Sequence, residues 1–290
     1  MAVNFAVLRR QGRDAPELAW PPFMWLSSGR APRCLVVLAH PDVETIGLGA
    51  RIGRLDPIEV IHVTDGAPRD SRFMPAELAG LGRERYTAIR REEVTRALAM
   101  AHVPASRLRC LGAVAQEAIE EAPSLARKLV ELFARTRPEV VITHPYEGGH
   151  PDHDAAALAV HSAAVLARWN GVSAPLIFEA ASYNAARGHL VTGEFIPYPG
   201  VPEIALRLSD EEASRKRAML DCFSSQKETL APFGAEVERF RPAPTYDFRR
   251  PPHEGTLHYE HLGFPIDGAR WRKLAVKTLT LLGLGRERCL

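Results

Sequence analysis

The sequence predicts an α/β fold: a Rossmann-like, mostly parallel sheet flanked by helices on both faces, with an irregular C-terminal extension. Three observations predict it. Short continuous apolar runs, CLVVLAH (34–40) first among them, have the pattern of strands buried on both faces. These runs alternate with longer segments of helical character, as βαβ units with right-handed crossovers require. The chain of 290 residues, 46% apolar and 25% charged, is long enough to bury a sizeable core.

The elements follow in order. Residues 1–32 read as an irregular segment broken by Pro21, Pro22 and Pro32. Strands are expected over 34–40, 58–66, 107–112, 139–144 and 175–181. Helices are expected over 44–55, 82–102, 123–137 and 151–170. The last hundred residues are less regular: a helix over 209–225, loops with short strands over 242–263, and an amphipathic helix over 270–284. The whole chain, 1–290, reads as a single domain with a core over 33–182 and an extension over 183–290. No internal repeat or low-complexity segment is visible.

Composition excludes more than it identifies. The formal net charge is +2 and the basic residues are scattered, so nothing points to a nucleic-acid partner. The four cysteines, Cys34, Cys110, Cys222 and Cys289, are far apart, which argues against a disulfide framework or a thiolate zinc site. Two of them lie in apolar runs and read as core. The N-terminal residues are interrupted by Arg and Asp and lack the apolar stretch of a signal peptide. No apolar run approaches the ~20 residues of a membrane span. The expectation is therefore a soluble, cytoplasmic protein. An Ala-rich helix and a Pro-rich C-terminal arm would suit a homo-oligomer.

In open parallel sheets, ligands bind at the carboxyl ends of the strands. Here those ends are rich in imidazoles and carboxylates. The first strand runs into His40-Pro41-Asp42-Val43-Glu44, the second into Thr64-Asp65-Gly66, and the fourth into a segment from His144 to His153 that ends His150-Pro151-Asp152-His153. Each has an ordinary structural explanation taken singly. Pro151 suits a first helical position, and Asp152 and Asp154 suit a helix N-terminus. Asp65-Gly66 is a common turn pair. Their coincidence at one sheet edge makes a plausible nitrogen and oxygen ligand set for zinc with an open position for water.

VVLAHPDVETIGLGA and THPYEGGHPDHDAAALAVH resemble the two signature segments of the PIG-L (LmbE-like) family of zinc-dependent N-acetylglucosaminyl de-N-acetylases. The resemblance covers residues 33–182. It implies His40 and His153 as metal ligands and Asp42 as general base. It implies His150 as an imidazolium that stabilises the oxyanion or protonates the leaving amine. It also implies Zn(2+) as cofactor and a small-molecule amino-sugar substrate. Iron or another divalent ion would accept the same ligand set.

The first segment departs from the family pattern, Ala-His-Pro-Asp-Asp-Glu, at one place. Val43 occupies the position of the second Asp, a metal ligand in the family, and cannot coordinate anything. Three outcomes are open: Glu44 reaches the metal, Asp42 itself ligates, or the site is poor in metal. Asp152 or Asp65 would orient the ligand histidines, and Arg69, Asp70, Arg72 and the aromatic segment 246–259 would read the substrate.

Two rival functions are carried. Gly47-Leu48-Gly49 with Gly53 suggests a dinucleotide site, but His40 to Ile46 separate these glycines from the strand, and the third is one place late. Close helix–sheet packing explains them better. The second rival is a catalytically degenerate family member that binds a glycan or serves as a partner subunit, with Val43 in its favour.

Overall fold

The computed structural model describes residues 31–55, 58–285 and 290. Nearly all of the N-terminal segment expected over 1–32, and Cys289, lie outside these. The chain runs β1 (Cys34–Leu38), α1 (Val43–Leu48), β2 (Ile58–Pro68), α2 (Ala76–Ala79), α3 (Arg83–Ala99), β3 (Leu108–Ala115), α4 (Ala118–Thr136), β4 (Val140–Thr143) and α5 (Pro151–Trp169). It continues through β5 (Leu176–Ala180), a small pair β6 (Tyr183–Asn184) and β7 (Val191–Thr192), β8 (Ile204–Arg207), α6 (Asp210–Leu220), α7 (Lys227–Leu230), β9 (Val237–Pro242) and α8 (Gly268–Leu281).

The main sheet has the order β3-β2-β1-β4-β5-β9-β8. β1 to β5 are parallel, and β9 and β8 add antiparallel at one edge. Successive residues of β1 serve opposite faces, as a strand's period of two requires. Leu35 and Val37 pack with α4, α5 and α8; Val36 and Leu38 pack with α1 and α3. Both faces are thus covered, as the unbroken apolar runs imply.

β1 pairs with β2 on one side and β4 on the other. The strand order reverses there, and a crevice opens between the loops that leave β1 and β4. Both histidine motifs sit in those two loops.

Several expected elements differ in detail. The helix expected over 44–55 ends at Leu48 and passes through a turn to a single 3-10 turn, Ile52–Arg54. A Cβ on Gly47 of α1 would meet that of Ala180 in β5 at 3.0 Å, which is the close helix–sheet packing expected of these glycines, whereas Gly53 lies against the carbonyl of Ala101, in the turn after α3. The helix expected from 123 starts at Ala118, because Asp152 accepts the Ala118 amide at 3.1 Å and caps it. Residues 242–263 hold a 3-10 turn, His258–Leu262, rather than short strands of their own. Cys34 is core, and burial pushes its thiol up to about 12, whereas Cys110 is exposed on the edge strand β3. No described helix is long and apolar enough to cross a membrane.

The C-terminal extension locks the loop that follows β1. Lys216 of α6 donates to the Ile46 carbonyl at 2.8 Å and to Glu238 of β9 at 3.0 Å. Glu238 in turn accepts the Ala50 amide at 2.8 Å. Both charges are buried, so each depends on the other for compensation.

Candidate active site

The loop after β1 turns sharply at Asp42, whose backbone sits at φ 122°, a region an L-residue occupies only under constraint. Arg90 of α3 supplies the constraint. Its guanidinium donates to the carbonyls of Pro41 and Gly66 and to Asp42 Oδ2, the last at 2.9 Å. Asp42 Oδ1 faces His40 Nδ1 at 3.4 Å. If His40 donates from Nδ1, its Nε2 lone pair is left for a ligand. Burial pushes Asp42 up to about 7, against the opposing pull of Arg90. Burial, reinforced by Arg90 and His62, brings His40 down to about 3.

The loop after β4 is pinned by Asp154, which accepts the Glu147 and Gly148 amides at 3.3 and 3.1 Å. Pro151 opens α5, with His150 as its N-cap: His150 Nδ1 accepts the Asp152 amide at 3.1 Å. A backbone amide can only donate, so the neutral ring carries its proton on Nε2. Burial lowers the pKa of His150 well below the ordinary range, so the imidazolium expected of it is held off in favour of a neutral N–H donor. His153 lies one turn on. Its Nε2 is buried without a hydrogen-bond partner, and burial holds the ring neutral.

Among the described residues, His40, His150 and His153 each offer a ligand atom, all within 4.8 Å of one another. An orphaned buried nitrogen and neutral imidazoles fit a borderline divalent ion such as zinc. The group contains no carboxylate. Val43 turns into the apolar core beside it.

Glu44 lies outside this group. Its Oε2 meets His62 Nε2 at 2.9 Å and accepts the Asp42 amide at 3.2 Å, while Oε1 accepts the Thr45 hydroxyl at 2.9 Å. Burial pushes its pKa up, but the bonds and charge of His62 outweigh that and leave it lowered. Glu44 therefore braces the strained turn from behind.

Other expectations need correction. The Asp152 and Asp65 carboxylates do not hydrogen-bond the histidines: Asp152 Oδ2 lies 3.9 Å from His150 Nδ1, and it is the Asp152 amide that His150 accepts. Asp152 accepts the amides of Gln116 and Ala118 at 2.6 and 3.1 Å, and Asp65 pairs with Arg83. Arg69 pairs with Glu117 and Arg72 with Asp70, both on the surface. In the aromatic segment, Tyr246 and Tyr259 are buried, and His258 is the residue that reaches the cavity.

Sequence reasoning passed over Arg90 and His62, and it placed His144 in the strand-end segment without giving it a role. His144 Nε2 accepts the Ala39 amide at 3.0 Å, and its ring stacks on His153 with centroids 3.9 Å apart. The position of His144 at the end of β4 was a usable signal. Arg90 lay inside a charged helix and offered none.

A cavity of about 480 Å³ opens on His40, Asp42 and His150. Its walls include Val43 and Ile46 of α1, Tyr86 and Arg90 of α3, Tyr183, Phe233 and Phe264.

The doubly wound sheet thus carries a cluster of imidazoles and a buried carboxylate at its switch point. Residues 35–164 match the model of the PIG-L family, described as GlcNAc-PI de-N-acetylase. The chain is 30% identical over 153 residues to 1D-myo-inositol 2-acetamido-2-deoxy-alpha-D-glucopyranoside deacetylase 1 of Saccharopolyspora erythraea, covering 42% of this chain and 50% of that protein. It is 32% identical over 143 residues to the deacetylase of the same description from Thermobispora bispora, covering 42% and 47%. The chain thus spans about half the length of the curated relatives it matches.

Among solved structures, N,N'-diacetylchitobiose deacetylase from Pyrococcus horikoshii superposes with a TM-score of 0.52 at 18% identity, over 81% of this chain and 95% of that one. A deacetylase of the teicoplanin biosynthesis pathway gives 0.52 at 16% identity, over 72% and 97%. These two likenesses bear on the fold.

Proposed function

We propose that this protein is a metal-dependent amide hydrolase that removes the N-acyl group, acetyl in its relatives, from an amino-sugar substrate. The observation that carries the proposal is the grouping of His40, His150 and His153 with ligand atoms within 4.8 Å of one another, at a cavity lined by His40, Asp42 and His150, within a segment that matches a de-N-acetylase family.

His40 and His153 would hold the ion, zinc being the one that best suits imidazole nitrogen with an open position. Bound there, it supplies Lewis acidity toward the amide carbonyl and the attacking water. Asp42 takes a proton from the water as its oxygen bonds to the carbonyl carbon, then passes that proton to the nitrogen as the C–N bond breaks. The products are a carboxylic acid and a free amine. The His150 Nε2–H donates to the developing oxyanion. Arg90 and Glu44 hold the strained Asp42 turn in place.

A second reading is favoured by Val43: a metal-poor family member that binds a glycan without turning it over. Assay of amine release from N-acetylglucosamine and its derivatives, with and without added Zn(2+), separates the two. Metal-dependent release that is lost in Asp42→Asn supports the hydrolase. Sugar binding with no release at any metal concentration supports the second reading.

A further inference from the structure

The cavity has two unlike sides. On its exposed rim stand Glu228, Thr229 and half-buried His258, groups able to hydrogen-bond a sugar. Its buried lining includes an apolar patch of Val43, Ile46 and Leu230, exposed by only 3, 8 and 6%, beside the polar groups of Asp42, Tyr86, Arg90 and His150. Phe233 packs against the same apolar group and lines the same cavity. None of the side chains of Val43, Ile46, Leu230 and Phe233 can donate or accept a hydrogen bond, and a sugar hydroxyl pressed against them would lose its water unrepaid.

The apolar wall starts at the reacting centre. Val43 directly follows Asp42, the base, and Ile46 lies one helical turn on. With the amide carbonyl held beside Asp42, a substituent on its carbon would be the part of the substrate placed toward this wall. An acetyl methyl would cover little of it, and the rest would stay wet beside buried carbons.

We propose that this apolar patch of the cavity is an acyl subsite for a chain longer than acetyl, so that the preferred substrate is an N-acyl amino sugar with a medium-length alkanoyl group. This rests on the amide-hydrolase reading of the same site. Val43 then has a positive role: where a carboxylate would repel an alkyl chain, it begins the chain's apolar channel.

The test is a series of N-acetyl-, N-butanoyl-, N-hexanoyl- and N-octanoylglucosamine, each assayed with zinc-loaded protein for amine release and, separately, for binding by calorimetry. The expected result is a kcat/KM that climbs about fourfold per added methylene until the wall is covered. Ile46→Thr, which is β-branched like Ile but one carbon shorter and carries a hydroxyl, flattens that climb. Amine release that is flat or falls with chain length overturns the acyl subsite and leaves the hydrolase reading standing. Binding that tightens with chain length without release of amine supports the subsite and overturns the hydrolase reading. Neither release nor chain-length-dependent binding overturns both. An Ile46→Thr protein with the full wild-type climb overturns the assignment of this wall.

Discussion

The Asp42 carboxylate and the Arg90 guanidinium meet at 2.9 Å with side-chain exposures of 4 and 5%, and the same guanidinium also holds the carbonyls on either side of the cavity floor, Pro41 and Gly66. Each charge is buried on the strength of the other. Arg90→Met leaves the carboxylate uncompensated and is expected to cost about 3–5 kcal/mol of stability. Adding Asp42→Asn removes the stranded charge, so the double variant should recover part of that loss. Urea unfolding of the two singles and the double checks this, and additive losses would show that the pair is not coupled.

Glu44 is committed to His62, Thr45 and the Asp42 amide, so it is expected to brace the turn rather than ligate. Glu44→Gln should lower activity by about one to two orders of magnitude, as losses among residues that support a metal site commonly do. Metal stoichiometry measured by elemental analysis should stay at the wild-type value. Loss of the metal itself would make Glu44 a ligand.

Val43→Asp puts a carboxylate into a position only 3% exposed. Without metal, the variant should unfold more easily than wild type, since it buries an unpaired charge. With Zn(2+), it should gain more stability than wild type, in proportion to the logarithm of free metal. Thermal melts across a zinc titration, with Val43→Asn as an uncharged control similar in shape to Asp, read this directly. Equal zinc shifts in all three proteins would contradict it.

His161 of α5 is 4% exposed, and burial brings its pKa down from 6.5 to about 4. The native protein therefore keeps it neutral where the unfolded chain is protonated. Its contribution is present in full above pH 6.5 and is lost as pH falls toward 4, by roughly 3 kcal/mol over that window. In His161→Phe, unfolding free energy should fall less steeply between those pH values. The same slope in both proteins would rule this out.

Much of the fold was legible because β1 to β5 are apolar runs with standard periodicity. β9 was not, because its charges are neutralised only by distant partners, and β8 was not, being a four-residue edge strand whose residues are half-buried or exposed. Arg241 of β9 pairs with Glu179 and Glu147 at 2.7 and 3.0 Å, and Glu238 with Lys216. A strand buried by ion pairs looks like surface in one dimension. The candidate site divides the same way. His40, Asp42, His150 and His153 stood out as a pattern, whereas Arg90 and His62 enter from elements whose sequence carries no such mark. The commitment of Glu44 to His62 needed the pairing of β1 with β2 to become visible.

The most direct test of the hydrolase reading uses wild-type protein and His153→Ala side by side, each dialysed free of metal and titrated with Zn(2+), with bound metal and amine release from an N-acylglucosamine followed in the same samples. The expected result is that release in the wild type rises with occupancy and that His153→Ala shows neither bound metal nor release. A His153→Ala protein that keeps both, or wild-type release that is indifferent to zinc, would contradict the account.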